Sequence, residues 1–261
     1  MIEDQTIEVS SKEFLTFVRA IENVNSNGVS VTIHKDFIDA LCLSDDNSSI
    51  ILYEKIVIIN SADIKEESIG QRLNIKDFKK FKMMLNMNTA KTFVFTVKRN
   101  AVYFHSNRIK SAKFTLGEIP YSISKNITAE WFQGFKKEMC KRVKKDELTS
   151  LASLSRFTSS DVTKIYFEMD EDGENLLAAV DDKEIANTDS VVVVVGKPDR
   201  GALRGSVIIR LKSFESLALD VEEVLIESAN ISSTDKPHEV LFVSYQNDNI
   251  SVNYLLNSLR S

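Results

Sequence analysis

A chain of 261 residues, 43% hydrophobic and 27% charged with only 3 prolines and 8 glycines, has room for two domains and is too aliphatic to be disordered. Its net charge of −5 excludes adhesion to nucleic acid by the surface as a whole, so any such role belongs to a local patch. Two distant cysteines (Cys42 and Cys140), an acidic start with no apolar leader, and no apolar run near the ~20 residues that span a bilayer read as a cytoplasmic protein without a membrane partner.

Residues 7–21, IEVSSKEFLTFVRAI, read as a short strand running into a helix. Phe14, Phe17, Val18 and Ile21 form the apolar stripe, Lys12 and Arg19 lie opposite, and Glu13 and Glu22 sit on the flanks. Ser10 and Glu13 have the spacing of a capping box. The runs VSVTIHK, FIDALCLS and SIILYEKI follow, each β-rich and bounded by turn residues, the pattern of hairpin-connected strands.

The second segment, RLNIKDFKKFKMML (72–85), repeats the layout. Asn74 is placed to cap its helix, Phe78, Phe81 and Leu85 share one stripe, and Lys76, Lys79 and Lys80 fall on the other side. With Lys82, four lysines face the one acid Asp77. TFVFTVKR, AVYFHSN and RIKSAKFTL complete this unit, and GEIPYSISKNITAEWFQ leads to the second half.

The third segment, KRVKKDELTSLASLSRF (141–157), carries Lys145 and Arg156 and is followed by KIYFEMD, ENLLAAVDD and SVVVVVG, the last the most apolar run and read as a buried strand. A basic run, KKEMCKRVKK (136–145), precedes the helix and is expected to lend it charge. The fourth, IIRLKSFESLALD (208–220), exposes Lys212 together with Glu215 and is followed by EVLIESANI, EVLFVSYQ and ISVNYLL. Four such segments predict an α+β chain of duplicated βαβββ units: one domain over 1–118, a connector over 119–134 and a second domain over 135–261.

Lysines on one helix are the ordinary dress of a solvated face. Two helices of an acidic chain, each with cations central on the polar face and acids displaced to the sides, point instead to a local nucleic-acid surface. No catalytic constellation, metal set or cofactor motif accompanies it. His34, His105 and His238 have no ligand spacing with one another or with the cysteines. GKPDRGALRG (196–205) lacks the ending of a phosphate loop, and DEDGE (170–174) reads as a turn.

The duplicated units with basic helices on an acidic body resemble the sliding clamps of DNA replication, of the proliferating-cell-nuclear-antigen type and its T-even phage relatives. Residues 146–184, with an LxxLxxxSR helix, a strand, a tight acidic turn and a second strand, are similar in layout to the start of a phage clamp's second domain. The resemblance implies helices on an inner face and antiparallel sheets outside, and a homotrimeric ring around duplex DNA that binds without regard to sequence. It also implies a DNA polymerase and a clamp loader as partners, and no enzymatic activity. Carried to this chain, it puts Lys12, Arg19, Lys76, Lys79, Lys80, Lys145, Arg156 and Lys212 on the DNA-facing lining. It puts Ile119, Pro120, Tyr121 and Ile123 with Tyr254, Leu255 and Leu256 at a pocket for partner peptides, although each of these can equally close the core. The ring seams fall on SAKFTL (111–116) and SVVVVVG (190–196). A monomeric processivity factor of the same fold and a metal-dependent α+β enzyme are the alternatives.

Overall fold

A computed structural model describes residues 4–25, 28–45, 50–76, 78–98, 101–105, 109–117, 129–153, 163–180, 190–217, 221–231 and 238–259. The first repeat is β1 (Gln5–Ser10), α1 (Ser11–Val24), β2 (Val29–Ile33), β3 (Phe37–Leu43) and β4 (Ile50–Val57). The second is β5 (Arg72–Ile75), α2 (Phe78–Asn86), β6 (Thr92–Lys98), β7 (Ala101–His105) and β8 (Ala112–Thr115). After a short α3 (Ala129–Gln133), the third is β9 (Lys137–Lys144), α4 (Lys145–Ala152), β10 (Lys164–Met169), β11 (Leu176–Val180) and β12 (Val191–Gly196). The fourth is β13 (Val207–Arg210), α5 (Leu211–Glu215), β14 (Glu223–Asn230), β15 (Glu239–Gln246) and β16 (Ile250–Asn257). The four βαβββ units expected from the sequence are all present.

The chain divides into two compact units, one built mainly of Leu52–Ala129 with Met1–Asp45, the other mainly of Glu130–Tyr245 with Asn253–Ser261. In each, the repeats exchange their first strands. In the N-terminal unit β1 joins the second repeat's meander in the order β1-β6-β7-β8, while β5 joins the first repeat's, β5-β2-β3-β4. The C-terminal unit does the same, with β13 beside β10 in β12-β11-β10-β13 and β9 beside β14 in β16-β15-β14-β9. A repeat whose leading strand sits in the other sheet cannot complete a sheet alone, so the pair forms one cooperative core.

Strand alternation builds that core. Phe93, Phe95 and Val97 of β6 and Ile7 and Val9 of β1 point inward with period two. Phe14 of α1 lies against them, its ring 5.2 Å from Phe93 and 5.7 Å from Phe95. Phe81 of α2 meets Phe104 and Phe114 edge-on, each at 5.4 Å. Of the predicted stripes, Phe14, Phe17, Val18, Ile21, Phe81 and Leu85 are buried, and the Phe78 side chain lies outside the described part. In the C-terminal unit Phe214 of α5 packs on Phe167 of β10 at 5.7 Å.

Polar burial is uneven. Gln5 is buried but satisfied, its amide donating to Asp63 O and its carbonyl accepting from Lys65 N. Glu54 on β4 is fully buried, and neither carboxylate oxygen has a hydrogen-bond partner among the described residues.

The helix starts differ from expectation. The Ser10 hydroxyl donates to the Glu13 carboxylate and makes no bond to the helix backbone, so the two capping side chains satisfy each other. Asn74 does not cap α2. It lies in β5, four positions before the first residue of α2, and its side chain accepts from the Ser30 hydroxyl at 3.0 Å. The run SVVVVVG is not a buried strand. As β12 it ends its sheet, and Val192 and Val194 are 57% and 65% exposed.

Candidate nucleic-acid interface

In the N-terminal unit, α1 and α2 are tied together at both ends. The Ser11 amide donates to Lys91 O, and the Asn88 side chain just beyond α2 donates to the Ser11 hydroxyl at 3.1 Å. Farther along, Lys82 of α2 forms an ion pair with Glu22 of α1. Start of one helix thus meets end of the other, and the apolar stripes of both press on the aromatic cluster. Their remaining faces carry the charge.

Lys12 and Arg19 are exposed on α1. They are seven positions apart, so they stand on one face about 10 Å apart along the axis. Lys76 is exposed just before α2, and its stem crosses Gly117, where a Cβ would lie 2.8 Å from Lys76 Cδ. Lys79 and Lys80 lie on the first turn of α2; their side chains are outside the described part. Lys82 is not a free member of the basic group, because Glu22 neutralises it. Beyond it the exposed residues are Met83 and Asn86 of α2 and then Met87, none of them a cation. The sequence wheel placed the lysines but gave no sign of the partner waiting on another helix.

The C-terminal unit is less basic. Lys212 is exposed on α5, next to an equally exposed Glu215. Lys145 opens α4, with its side chain outside the described part, and Arg156 lies outside the described residues. Among the described side chains of α4 the exposed ones are Asp146, Glu147 and Ser150, and Glu147 accepts from the Lys144 amide at 2.8 Å to close the helix start. Most of the run 136–145 is strand β9, whose side chains alternate between faces, and Lys137 and Arg142 face Glu227 and Glu223 on β14, while Lys145 is the first residue of α4.

Of the expected peptide pocket, Ile119, Pro120, Tyr121 and Ile123 lie outside the described residues. Tyr254, Leu255 and Leu256 are adjacent on β16 and fully buried, so in this chain they serve the core and offer no surface to a peptide. Trp131 on α3 packs edge-on against Phe135 at 4.7 Å.

The sheet edges divide into covered and open ones. β1 and β13 receive backbone hydrogen bonds from the segments after β4 and β16, Ile59 N to Glu8 O and Leu259 N to Ile208 O. β5 is covered by the segment after β8, with Gly117 N donating to Asn74 O, and β9 by the segment after β12, with Cys140 N of β9 donating to Arg200 O. The second of these needs glycine nearby: at Gly201, with φ +67°, a Cβ would fall 1.9 Å from Glu138 O. β8 and β12 end their sheets, and among the described residues no backbone bond reaches their outer sides. The strands expected at the ring seams are therefore both sheet ends.

His34 lies one residue past β2, stacks on Phe37 and meets Asp39 at 3.2 Å. Among the described residues no group of three or more potential ligands could hold a metal ion, and no helix is long and apolar enough to cross a membrane.

The chain superposes on the proliferating cellular nuclear antigen of Entamoeba histolytica with a TM-score of 0.71 and 10% identity, over 98% of both chains. Archaeal PCNA of A. fulgidus, solved with the C-terminal region of FEN-1 bound, gives 0.72 at 10% identity, again over 98% of each. A putative DNA polymerase III beta subunit of Eubacterium rectale gives 0.73 at 13% identity, covering 100% of this chain and 67% of that one. No protein-family model and no curated protein sequence matches the chain. At these identities the likeness is one of architecture, and it is full-length: the chain has the DNA sliding-clamp fold.

Proposed function

We propose that this chain is a DNA polymerase sliding clamp, a non-enzymatic processivity factor that encircles duplex DNA as a homotrimer. The observation that carries this is the pairing of two features on one full-length clamp fold: exposed cations on the α1–α2 face, and two sheets that stop at open edges, β8 and β12. One chain's β8 adding to the next chain's β12 is a head-to-tail contact, and such a contact makes a closed ring when its rotation closes. Residues 1–118 and 135–261 are then the two clamp domains, and 119–134 the connector.

Lys12, Arg19, Lys76, Lys79 and Lys80, with Lys145, Arg156 and Lys212, make short-lived phosphate contacts that carry no base information. Retention comes from topology rather than affinity, and the acidic remainder of the surface repels stray DNA. The polymerase is tethered through a peptide site, for which Ile119, Pro120, Tyr121 and Ile123 on the connector stay the candidates. A closed ring needs a clamp loader. The layout of residues 146–184 supports a phage-type clamp working in the cytoplasm of its host.

The test is native mass by sedimentation over a concentration series. A species at three times the 29.5 kDa chain mass supports the ring. A monomer at every concentration, with or without DNA, would move the assignment to a single-face processivity factor.

A further inference from the structure

The side of α2 turned away from the core changes character partway along. Phe81 and Leu85 hold the helix to the aromatic cluster and are buried. On the opposite side, Lys79 and Lys80 of the first turn are followed four and three positions on by Met83, and Met83 four positions on by Met87. Met87 lies one residue past α2, and its amide still donates to Met84 O at 3.2 Å, so the last turn carries it on the same side. Met83 is 63% exposed and Met87 54%. With Lys82 held by Glu22, the second half of this face offers two thioethers where the first half carries lysines.

These are not core methionines. Met139 on β9 is wholly buried, and Met84 and Met169 are half-buried. A small oxidant reaches the sulfur of Met83 or Met87 without any opening of the fold, whereas Met139 waits for one. Of the two thiols that compete for such an oxidant, Cys42 is buried and Cys140 is partly covered on β9. Burial pushes both thiols up, away from the reactive thiolate.

We infer that Met83 and Met87 form an oxidation site on the DNA-facing surface, that its substrate is hydrogen peroxide or another small hydroperoxide, and that its oxidation loosens the hold on DNA. A sulfur lone pair takes the peroxide's outer oxygen, the O–O bond breaks, and the hydroxide released picks up a proton to become water. The sulfur is oxidised by the two electrons that reduce the peroxide. The product is a sulfoxide, polar but without net charge, which methionine sulfoxide reductases return to the thioether. Its oxygen accepts hydrogen bonds, so it competes with phosphate for the lysines one turn earlier on the same side of the helix. The effect on DNA rests on the clamp reading; the chemistry of the site does not.

The probe is limiting hydrogen peroxide on the intact chain, with and without duplex DNA at low salt, the sulfoxides being located by mass spectrometry. Met83 and Met87 should oxidise first, about tenfold or more ahead of Met139, and bound DNA should slow both. In a binding titration the oxidised chain should hold DNA about threefold more weakly, the scale of one net hydrogen bond, with an unchanged salt slope because no charge is lost. The double variant Met83→Leu with Met87→Leu, compared with itself before and after peroxide, should show no such loss. The two reductases, one for each sulfoxide epimer, should restore the parent. Met139 oxidised as fast as Met83, oxidation rates that bound DNA leaves unchanged, or an equal loss of DNA binding in the leucine variant would overturn the inference, as would a parent whose binding does not respond to peroxide. An untreated chain with no affinity for DNA would instead overturn the clamp reading and, with it, the effect on DNA.

Discussion

Replacing Val192 and Val194 together by lysine probes the ring seam where its energy can be reckoned. Both valines are more than half exposed at the end of a sheet, 57% and 65%. Fully burying a valine is worth about 1.5 kcal/mol at the low end, so covering what remains exposed contributes roughly 1 kcal/mol each and about 2 kcal/mol per seam. The substitution removes that term and adds two ammonium groups, which on an edge strand oppose strand addition, and the facing β8 already exposes Lys113. A weakening of about thirtyfold or more per seam follows at 1.4 kcal/mol per decade. The fold should not suffer, because the residues are exposed and such changes stay within about 0.5 kcal/mol. Sedimentation across a dilution series, read beside thermal melts, separates the two effects. An assembled species that persists to the same dilution as the parent, with an unchanged melt, would refute β12 as a seam.

The remaining predictions concern charge. Lys12→Glu with Arg19→Glu should lower DNA affinity and flatten its salt dependence while leaving the melt unchanged; an unaltered salt slope in a binding titration would remove α1 from the interface. Glu22→Gln releases Lys82 toward the same face, so DNA binding should tighten by a small factor at low salt, while loss of the partly exposed pair costs at most about 1 kcal/mol after solvent screening. A weaker complex would contradict that arrangement. Glu54 predicts a pH effect of definite sign. Burial raises its carboxyl well above the usual range, so the folded chain keeps a proton that the unfolded chain releases. Its contribution is complete below the unfolded value near 4.3 and is lost as pH rises toward the folded value. Glu54→Leu should therefore stabilise the chain by about 1–3 kcal/mol at pH 8, the cost of an unsatisfied buried polar group, and less at pH 5. Equal gains at both pH values would mean that the carboxyl does not titrate as burial requires.

The repeat was legible because period carries it. Apolar residues three and four apart in Phe14–Ile21 and two apart in Phe93–Val97 can face a core only as helix and strand, and the four segments follow one plan. What eluded the sequence depends on neighbours distant in the chain. A helical wheel shows Lys82 on a polar flank but cannot show Glu22, sixty residues earlier, beside it. Nor can composition distinguish a valine run in mid-sheet from one at the edge, since both read as apolar; only the strand order of β12-β11-β10-β13 decides. The run 136–145 looked like a block of charge because charge was counted along the chain, whereas a strand sends it to two faces. Tyr254, Leu255 and Leu256 came to the peptide pocket through the resemblance with a core role equally open, and consecutive apolar residues in a strand are what a sheet covered on both faces requires.

Encirclement is a topological bond, and salt with a restriction enzyme tests it. The protein is incubated at high concentration with linear duplex DNA, both ends are then blocked with bulky protein caps, and salt is raised until phosphate contacts are abolished. A ring threaded on the duplex should stay with the capped DNA and leave once the duplex is cut between the caps. Elution at the same salt from capped and uncapped DNA would contradict encirclement.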